Sequence, residues 1–270
     1  MGDALRIIVA AHKPYPMPDD PVYLPIQVGA SGKQSIGFTR DDSGDNISEK
    51  NRSYCELTGL YWAWKNLDAL ALGLSHYRRH FAEPYGGNGR EIELGEKRIG
   101  HILSGETATK LLSEADVLVP RKRRYFIESL FGHYAHTLDP DHLVEARAII
   151  AAKMPEYITT LDDVYSRTWG YMFNMFVMSR ELTDDYCSWL FPILDELYEK
   201  LYDPNAEDFE ARFIGRVSEI LFNVWLAKKE KEGIRIRELG VIYPEPVNWG
   251  KKITAFLAAK FGGVKYKESF

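Results

Sequence analysis

Four short apolar runs, each released into polar or charged residues, most narrow what this chain can fold into. Residues 5–11 end at His12-Lys13-Pro14, and residues 70–77 end at Arg78-Arg79-His80. Residues 116–120 close on a proline followed by Arg121-Lys122-Arg123-Arg124, and residues 170–178 carry Asn174 inside an otherwise apolar run. Short runs that are apolar almost throughout read as strands buried on both faces. Helical spacings lie between them. Leu57, Leu60, Tyr61, Trp64 and Leu67 recur in a long helix that Ser48 can cap, and part of 99–112 is helical. Further helical patterns cover about 126–134, 139–153, 159–168, 180–202 and 207–232, with an edge strand in 23–30 and a late strand in 235–242. Alternating strands and helices predict an α/β sheet, and such sheets bind ligands beyond the carboxyl ends of their strands.

Composition excludes several classes. The 270 residues include 34 Lys and Arg against 39 Asp and Glu, a formal charge of −5, so no nucleic-acid partner is expected. No run approaches the roughly 18 apolar residues of a membrane span. Met1-Gly2-Asp3-Ala4 leads into the first strand without a basic segment or cleavage site, so a cytoplasmic location is expected. Cys55 and Cys187 form neither a zinc framework nor a disulfide scaffold. There is no phosphate-binding Gly-rich motif and no nucleophile elbow.

Three strand exits carry basic chemistry: His12-Lys13, His76-Tyr77-Arg78-Arg79 and the run after Pro120. Their convergence predicts an anionic ligand, most simply a phosphate or diphosphate. Guanidinium groups at the end of a buried strand must meet anions or reach water, and Arg recognises phosphate oxygens bidentately. The blander alternative is one Arg on a carboxylate and the other solvated. Asn46, Lys50 and Asn51 stand before the long helix, either as an ordinary cap or as ligand contacts. Glu56 lies among apolar residues and requires a basic partner or a pocket. Tyr61, Trp62 and Trp64 are either core or a surface on which a sugar stacks. Asn174 needs buried partners, from the backbone or from a ligand. Arg216 and Glu219 sit three apart, either as an intrahelical pair or as a general base with its orienting cation. Asp41, Asp42 and Asp45 read as a solvated acidic loop rather than a cation site.

Three blocks taken together resemble a known family: Asn46-Ile47-Ser48-Glu49-Lys50-Asn51, then residues 54–66 (YCELTGLYWAWKN), then residues 73–81 (GLSHYRRHF). Later segments around 174–178, 186–191 and 216–221 resemble it as well. It is a bacterial glycosyltransferase family of capsular polysaccharide, exopolysaccharide and O-antigen gene clusters. The resemblance spans about residues 5–243. It implies a GT-A-like, Rossmann-like mixed sheet flanked by helices, with a helical C-terminal part, and a UDP-sugar donor, galactofuranose, galactose or glucose. It implies an acceptor that is a saccharide or a lipid-linked oligosaccharide. In many GT-A enzymes the strand corresponding to 70–77 ends in Asp-x-Asp, which holds a metal. Here that place reads His76-Tyr77-Arg78-Arg79, so Arg78 or Arg79 is expected to replace the metal's charge. A manganese or magnesium requirement is therefore not expected, although either cation is compatible with the family.

The resulting expectations are specific. Donor contacts are His12, Lys13, Asn46, Lys50, Asn51, His76, Tyr77, Arg78, Arg79 and Arg216. Acceptor or sugar contacts are Tyr61, Trp62, Trp64 and Asn174. Transfer is expected to invert, with Glu219 the first choice of base and Glu56 the second. The rival reading is a non-catalytic nucleotide-sugar or carbohydrate-binding module. Residues 1–249 form the main domain. In 250–270, Lys251, Lys252, Lys260, Lys265 and Lys267 interleave with Ile253, Phe256, Leu257 and Phe261. That pattern fits an interfacial helix on an anionic membrane at the inner face of the plasma membrane, or a frayed or partner-docking tail.

Overall fold

The computed structural model describes residues 4–84 and 100–244. The chain forms β1 (Arg6–Ala11), β2 (Tyr23–Gln27), β3 (Thr39–Arg40), α1 (Asn51–Tyr54), α2 (Leu57–Asn66), β4 (Ala71–His76) and β5 (His80–Phe81). It continues through α3 (Gly105–Glu114), β6 (Val117–Pro120), β7 (Arg123–Arg124), α4 (Leu130–Ala135), α5 (Asp141–Lys153) and α6 (Ile158–Ser166). The described part ends with β8 (Trp169–Gly170), β9 (Phe176–Ser179), α7 (Arg180–Leu201), α8 (Phe213–Lys231), β10 (Ile236–Leu239) and β11 (Val241–Ile242). The basic tail proposed from sequence, 250–270, lies outside the described residues.

Seven strands form one mixed sheet in the order β10-β6-β9-β4-β1-β2-β3. β1 runs parallel to β2 and β4, and β9 runs antiparallel to both β4 and β6. The apolar run of β1 is explained by its place between two layers. Ile8 and Ala10 belong to the core shared with α2, α7 and α8, whereas Ile7, Val9 and Ala11 face a second core that includes Leu111 of α3. Successive side chains of a strand point to opposite faces, so a strand covered on both needs no polar alternation. Because β9 runs against β4, the carboxyl ends of β1, β4 and β6 and the start of β9 share one edge of the sheet.

Several sequence expectations change at the level of backbone. The helix expected over 48–67 is broken into a 3-10 turn, α1 and α2, because Cys55 adopts φ 52° and ψ −127°. Few residues with a Cβ occupy that region. Two bonds hold it, Cys55 N–H donating to the Asn51 carbonyl and Asn51 Nδ2 donating to the Cys55 carbonyl at 2.7 Å. Gly215 faces this break, and a Cβ there would stand 3.1 Å from Cys55 Sγ, so glycine lets α8 approach. Ser48 caps nothing; its hydroxyl bonds the Asp41 carboxylate and accepts from Ser31 N–H. Asp41 is itself fully buried, receiving the backbone N–H groups of Gly29 and Ala30 at 2.8 and 2.9 Å, so it is a structural loop anchor. The run 170–178 is two strands, β8 and β9, separated by a turn. The late strand divides at Gly240 into β10 and β11.

Candidate active site

At the shared strand edge opens a cleft of about 1300 Å³. β1 delivers His12 and Lys13 to it, β4 and the following turn deliver His76, Tyr77, Arg78 and Arg79, and the break before α2 delivers Asn51 and Glu56. α8 and its preceding turn add Arg212, Arg216 and Glu219 from the opposite side, while α4 contributes His133 and Tyr134. Eight Lys and Arg side chains line the cleft against four carboxylates, in a chain whose formal charge is −5. The positive field is therefore local and concentrated in a concavity.

The turn after β4 is tight. Arg79 N–H donates to the His76 carbonyl at 2.9 Å and His76 N–H donates to the Arg79 carbonyl at 3.0 Å, so Tyr77 and Arg78 occupy the corner. Tyr77 is buried, with the His12 ring edge-on at 5.2 Å and the Arg78 guanidinium 5.3 Å from its centroid. Burial lowers the His12 pKa, and the charges of Arg78, Lys13, Arg212 and Lys33 lower it further. His76 Nε2 lies 2.6 Å from the Phe173 carbonyl, which only accepts, so Nε2 carries the proton. Burial holds His76 neutral, opposed by Glu56 and reinforced by Arg79 and Arg78. Arg79 stacks its guanidinium 4.7 Å from the Phe173 ring centroid. Its desolvation disfavours the charged form, and Tyr243, Glu219 and Glu56 offset that cost.

The two carboxylates are held differently. Glu56 accepts a hydrogen bond from Asn174 Nδ2 at 2.7 Å. Glu219 has its pKa raised, first by burial and also by Glu56, against the lowering effects of Arg216, Arg79 and a backbone donor at Phe173. The Arg216–Glu219 contact is long, 3.9 Å, so the pair is looser than a hydrogen-bonded ion pair. Behind both carboxylates lies one strained dipeptide. Phe173 and Asn174 have φ of 78° and 53°, each a non-glycine residue in positive φ. Asn tolerates this region, whereas a bulky aromatic there costs on the order of 1–3 kcal/mol and persists only where its surroundings fix it. Here His76 engages the Phe173 carbonyl, Asn174 Nδ2 also donates to the Gly215 carbonyl at 3.1 Å, and Ser218 Oγ donates to Asn174 Oδ1 at 3.1 Å.

Ten of the sixteen sequence-derived site residues line the cleft: His12, Lys13, Asn51, Glu56, His76, Tyr77, Arg78, Arg79, Arg216 and Glu219. Six do not. Asn174 is 2% exposed and stands behind Glu56, to which its amide donates, so it does not reach the cleft surface. Asn46 is spent within its loop, donating to the Gly44 carbonyl and accepting from Ser48 N–H. Lys50 donates to Asp195 at 2.8 Å and lies over the rings of Tyr54 and Tyr198, bracing α1 against α7. Tyr61 and Trp62 bond Asp45 and Ser43, and Trp64 bonds Asp184 at 2.9 Å while stacking on Phe191. The helical period turns these three rings away from the cleft, toward the 41–46 loop and α7. At α2 only Cys55 and Glu56, just before the helix, reach the site.

Residues that the sequence expectations left out, among them Arg212, Lys33, Tyr125 and His133, also line the cleft, and of the basic run after Pro120 only Arg123 does. Arg212 was findable, since it precedes Arg216 by four residues and so shares its face. His133 was not. Its Nδ1 is 3.2 Å from the buried Glu128 carboxylate and His136 Nδ1 is 3.3 Å from the other oxygen, a contact that needs the folded loop. Cys55 lines the cleft, but burial pushes its thiol up to about 11, so it stays protonated and supplies no nucleophile. Among the described residues no group of three or more His, Cys, Asp or Glu side chains is arranged to hold a metal ion. The strand end that carries Asp-x-Asp in many GT-A enzymes presents His76, Tyr77, Arg78 and Arg79 here.

Nothing among curated proteins matches the chain. Among solved structures it is similar to the WbbM bifunctional glycosyltransferase in its apo form, at 32% identity and a TM-score of 0.82 over 90% of this chain. The similarity covers 46% of that protein, so this chain spans a little under half its length. The seven-stranded mixed sheet flanked by helices is thus a GT-A-like α/β fold. No helix among the described residues is long and apolar enough to cross a membrane. Residues 6–230 match the family described as a domain of unknown function, DUF4422, and the chain belongs to that family.

Proposed function

We propose that this chain is a glycosyltransferase that moves a hexose from a UDP-sugar to a saccharide acceptor in bacterial surface-polysaccharide synthesis. The observation that carries the reading is the crowding of Arg78, Arg79, Arg212 and Arg216 around Glu56 and Glu219 at the carboxyl edge of the sheet. The similarity to a glycosyltransferase supports it from a separate direction. A departing diphosphate gains negative charge as the glycosidic bond breaks, and preorganised cations stabilise that charge most in a desolvated site. On this reading the arginines take the role that a metal has in many GT-A enzymes, and turnover needs no added manganese or magnesium.

The acceptor hydroxyl must lose a proton as its oxygen attacks the anomeric carbon. Glu219 is the proposed base, because its surroundings give the carboxylate a higher proton affinity than an exposed one. Attack on the face opposite the diphosphate forms the new C–O bond as the old one breaks, inverting the anomeric centre. Glu56, fixed by Asn174, faces the same space and is the second candidate for the base. The donor sugar is glucose, galactose or galactofuranose, and the acceptor is lipid-linked, which sets the work at the inner face of the plasma membrane.

Radiolabelled UDP-sugars incubated with a polyprenyl-linked acceptor test the reading. Glu219→Gln is expected to lower kcat by roughly two to four orders of magnitude and leave UDP affinity within about twofold. Near-normal turnover in that variant removes Glu219 from the mechanism. Binding of UDP-sugar without turnover under any acceptor would instead make the chain a binding module. Loss of activity with EDTA, restored specifically by manganese, would sink the metal-independent part.

A further inference from the structure

The loop between β7 and α4 inverts the usual order of burial. Its polar Glu128 is 8% exposed, whereas Phe126 is 79% and Ile127 70% exposed. Single exposed apolar residues are ordinary, but two adjacent large ones at a loop apex beside a charged run are not scattered surface. The apex is also fixed in shape. Ile127 N–H donates to the Tyr125 carbonyl at 2.7 Å across Phe126, whose φ is 61°. That is a γ-turn of the strained hand, and a bulky side chain rarely accepts it.

Anchors on either side hold the turn. Tyr125 N–H donates to the Thr168 carbonyl and Leu130 N–H to the Arg167 carbonyl, each at 2.7 Å. The buried Tyr125 ring lies 4.2 Å from the His133 ring in the cleft wall. The base of the loop is therefore part of the candidate active site, while its tip stands clear of the body. Arg121, Arg123 and Arg124, in the run that leads into the loop, are exposed, and neither Arg121 nor Arg124 has a carboxylate partner among the described residues. Lys122, by contrast, is occupied by Glu238 at 3.0 Å and by the Trp169 ring.

We infer that Phe126 and Ile127 insert into the interfacial zone of an anionic bilayer, with Arg121 and Arg124 meeting lipid phosphates. Two observations favour a bilayer over a protein partner. The apolar tip is two residues wide, far below the roughly 800 Å² per partner of a stable protein interface. It also directly follows a run of exposed cations, whereas cores of protein interfaces are depleted of charge. Shallow apolar insertion together with basic residues is the recurrent chemistry of reversible bilayer contact. Arg123 and Tyr125 line the cleft as well as flanking the tip, so docking here brings the cleft mouth to the lipid headgroups. The benefit to a lipid-linked acceptor rests on the proposed function; the contact itself does not.

Co-sedimentation of the full chain with phosphatidylcholine vesicles, with and without phosphatidylglycerol, tests the inference. The wild type is expected to sediment with the anionic vesicles. Phe126→Ser with Ile127→Ser is expected to cut that partition about tenfold or more, since each side chain would lose its burial. Arg121→Glu with Arg124→Glu is expected to abolish the preference for phosphatidylglycerol. Both pairs should keep UDP affinity and transfer to a water-soluble acceptor. Failure of the wild type to sediment overturns the inference, as does partition that neither pair alters. A change of oligomeric state in the serine pair, with unchanged sedimentation, would make the tip a protein interface instead. Normal vesicle binding without any sugar transfer would fault the proposed function and leave this contact standing.

Discussion

The cleft and the aromatic seam between α2 and α7 are built from similar residue types, yet they balance charge in opposite ways. In the seam the two carboxylates that meet the rings are matched by donors. Asp184 accepts from both Trp64 Nε1 and Arg180 Nε, and the remaining Arg180 nitrogens close the carbonyls of Leu67 and Trp64 at the end of α2. Asp195 likewise accepts from Lys50 and Tyr54. In the cleft, cations outnumber carboxylates two to one, a buried carboxylate has its pKa raised, and two consecutive residues sit at positive φ. Aromatic density marks neither region as a site. Uncompensated charge and stored strain do, because both cost stability and persist where function requires them.

The sharpest way to break this contrast is Arg79→Met. Losing charge-assisted bonds to a diphosphate should weaken UDP binding about ten- to hundredfold. Thermal stability should not fall, since burial already disfavours the charged guanidinium. A large drop in Tm with unchanged UDP affinity, by calorimetry, would make Arg79 a structural cation like those of the seam.

Asn174→Ala comes next. It removes the donor that fixes Glu56 and should lower kcat about tenfold, with the donor KM little changed. Asn174→Gly, which relieves the positive φ but restores no amide, should stay equally slow. Recovery of kcat in the glycine variant would show that backbone shape, not the hydrogen bond, is what the site needs.

The acid limb of the pH–kcat profile gives a third test. Glu219 must be ionised to accept a proton, and its pKa is raised, so activity should fall with a midpoint above the ordinary carboxylate value of 4.5. The linkage to stability runs the other way. A carboxyl that binds its proton more tightly when folded loses stability as pH rises through its folded pKa, so Glu219→Gln should melt no lower than wild type at neutral pH. A midpoint at or below 4.5 would return the role of base to Glu56.

In the seam the expected change is confined to stability. Trp64→Phe keeps the ring but loses the bond to Asp184, and should cost about 1 kcal/mol without altering kcat or KM. A changed acceptor KM would restore Trp64 as a sugar contact.

Much of the architecture was legible because burial on both faces leaves a simple trace. Residues 5–11 and 70–77 are apolar for the reason that β1 and β4 lie between two cores, and strand polarity then put His12 and the His76–Arg79 turn at one edge. The breaks were not legible. Cys55 and Phe173 hold conformations that their residue types disfavour, and partners more than forty residues away hold the Phe173–Asn174 turn. Likewise Tyr61, Trp62 and Trp64 looked equally suited to a sugar or to a core, since a helix's rotation about its axis is set by what packs against it.

By itself, then, the sequence determined the layered α/β arrangement, the edge at which chemistry gathers and the identity of most of its charged groups. These follow from hydrophobic patterning and strand direction, which are local or nearly so. Only the tertiary structure decided which cations gather in one cleft, which carboxylate is desolvated, and which apolar pair is left in water. Those properties depend on distances between segments far apart in the chain, and electrostatic and solvation energies are set by such distances.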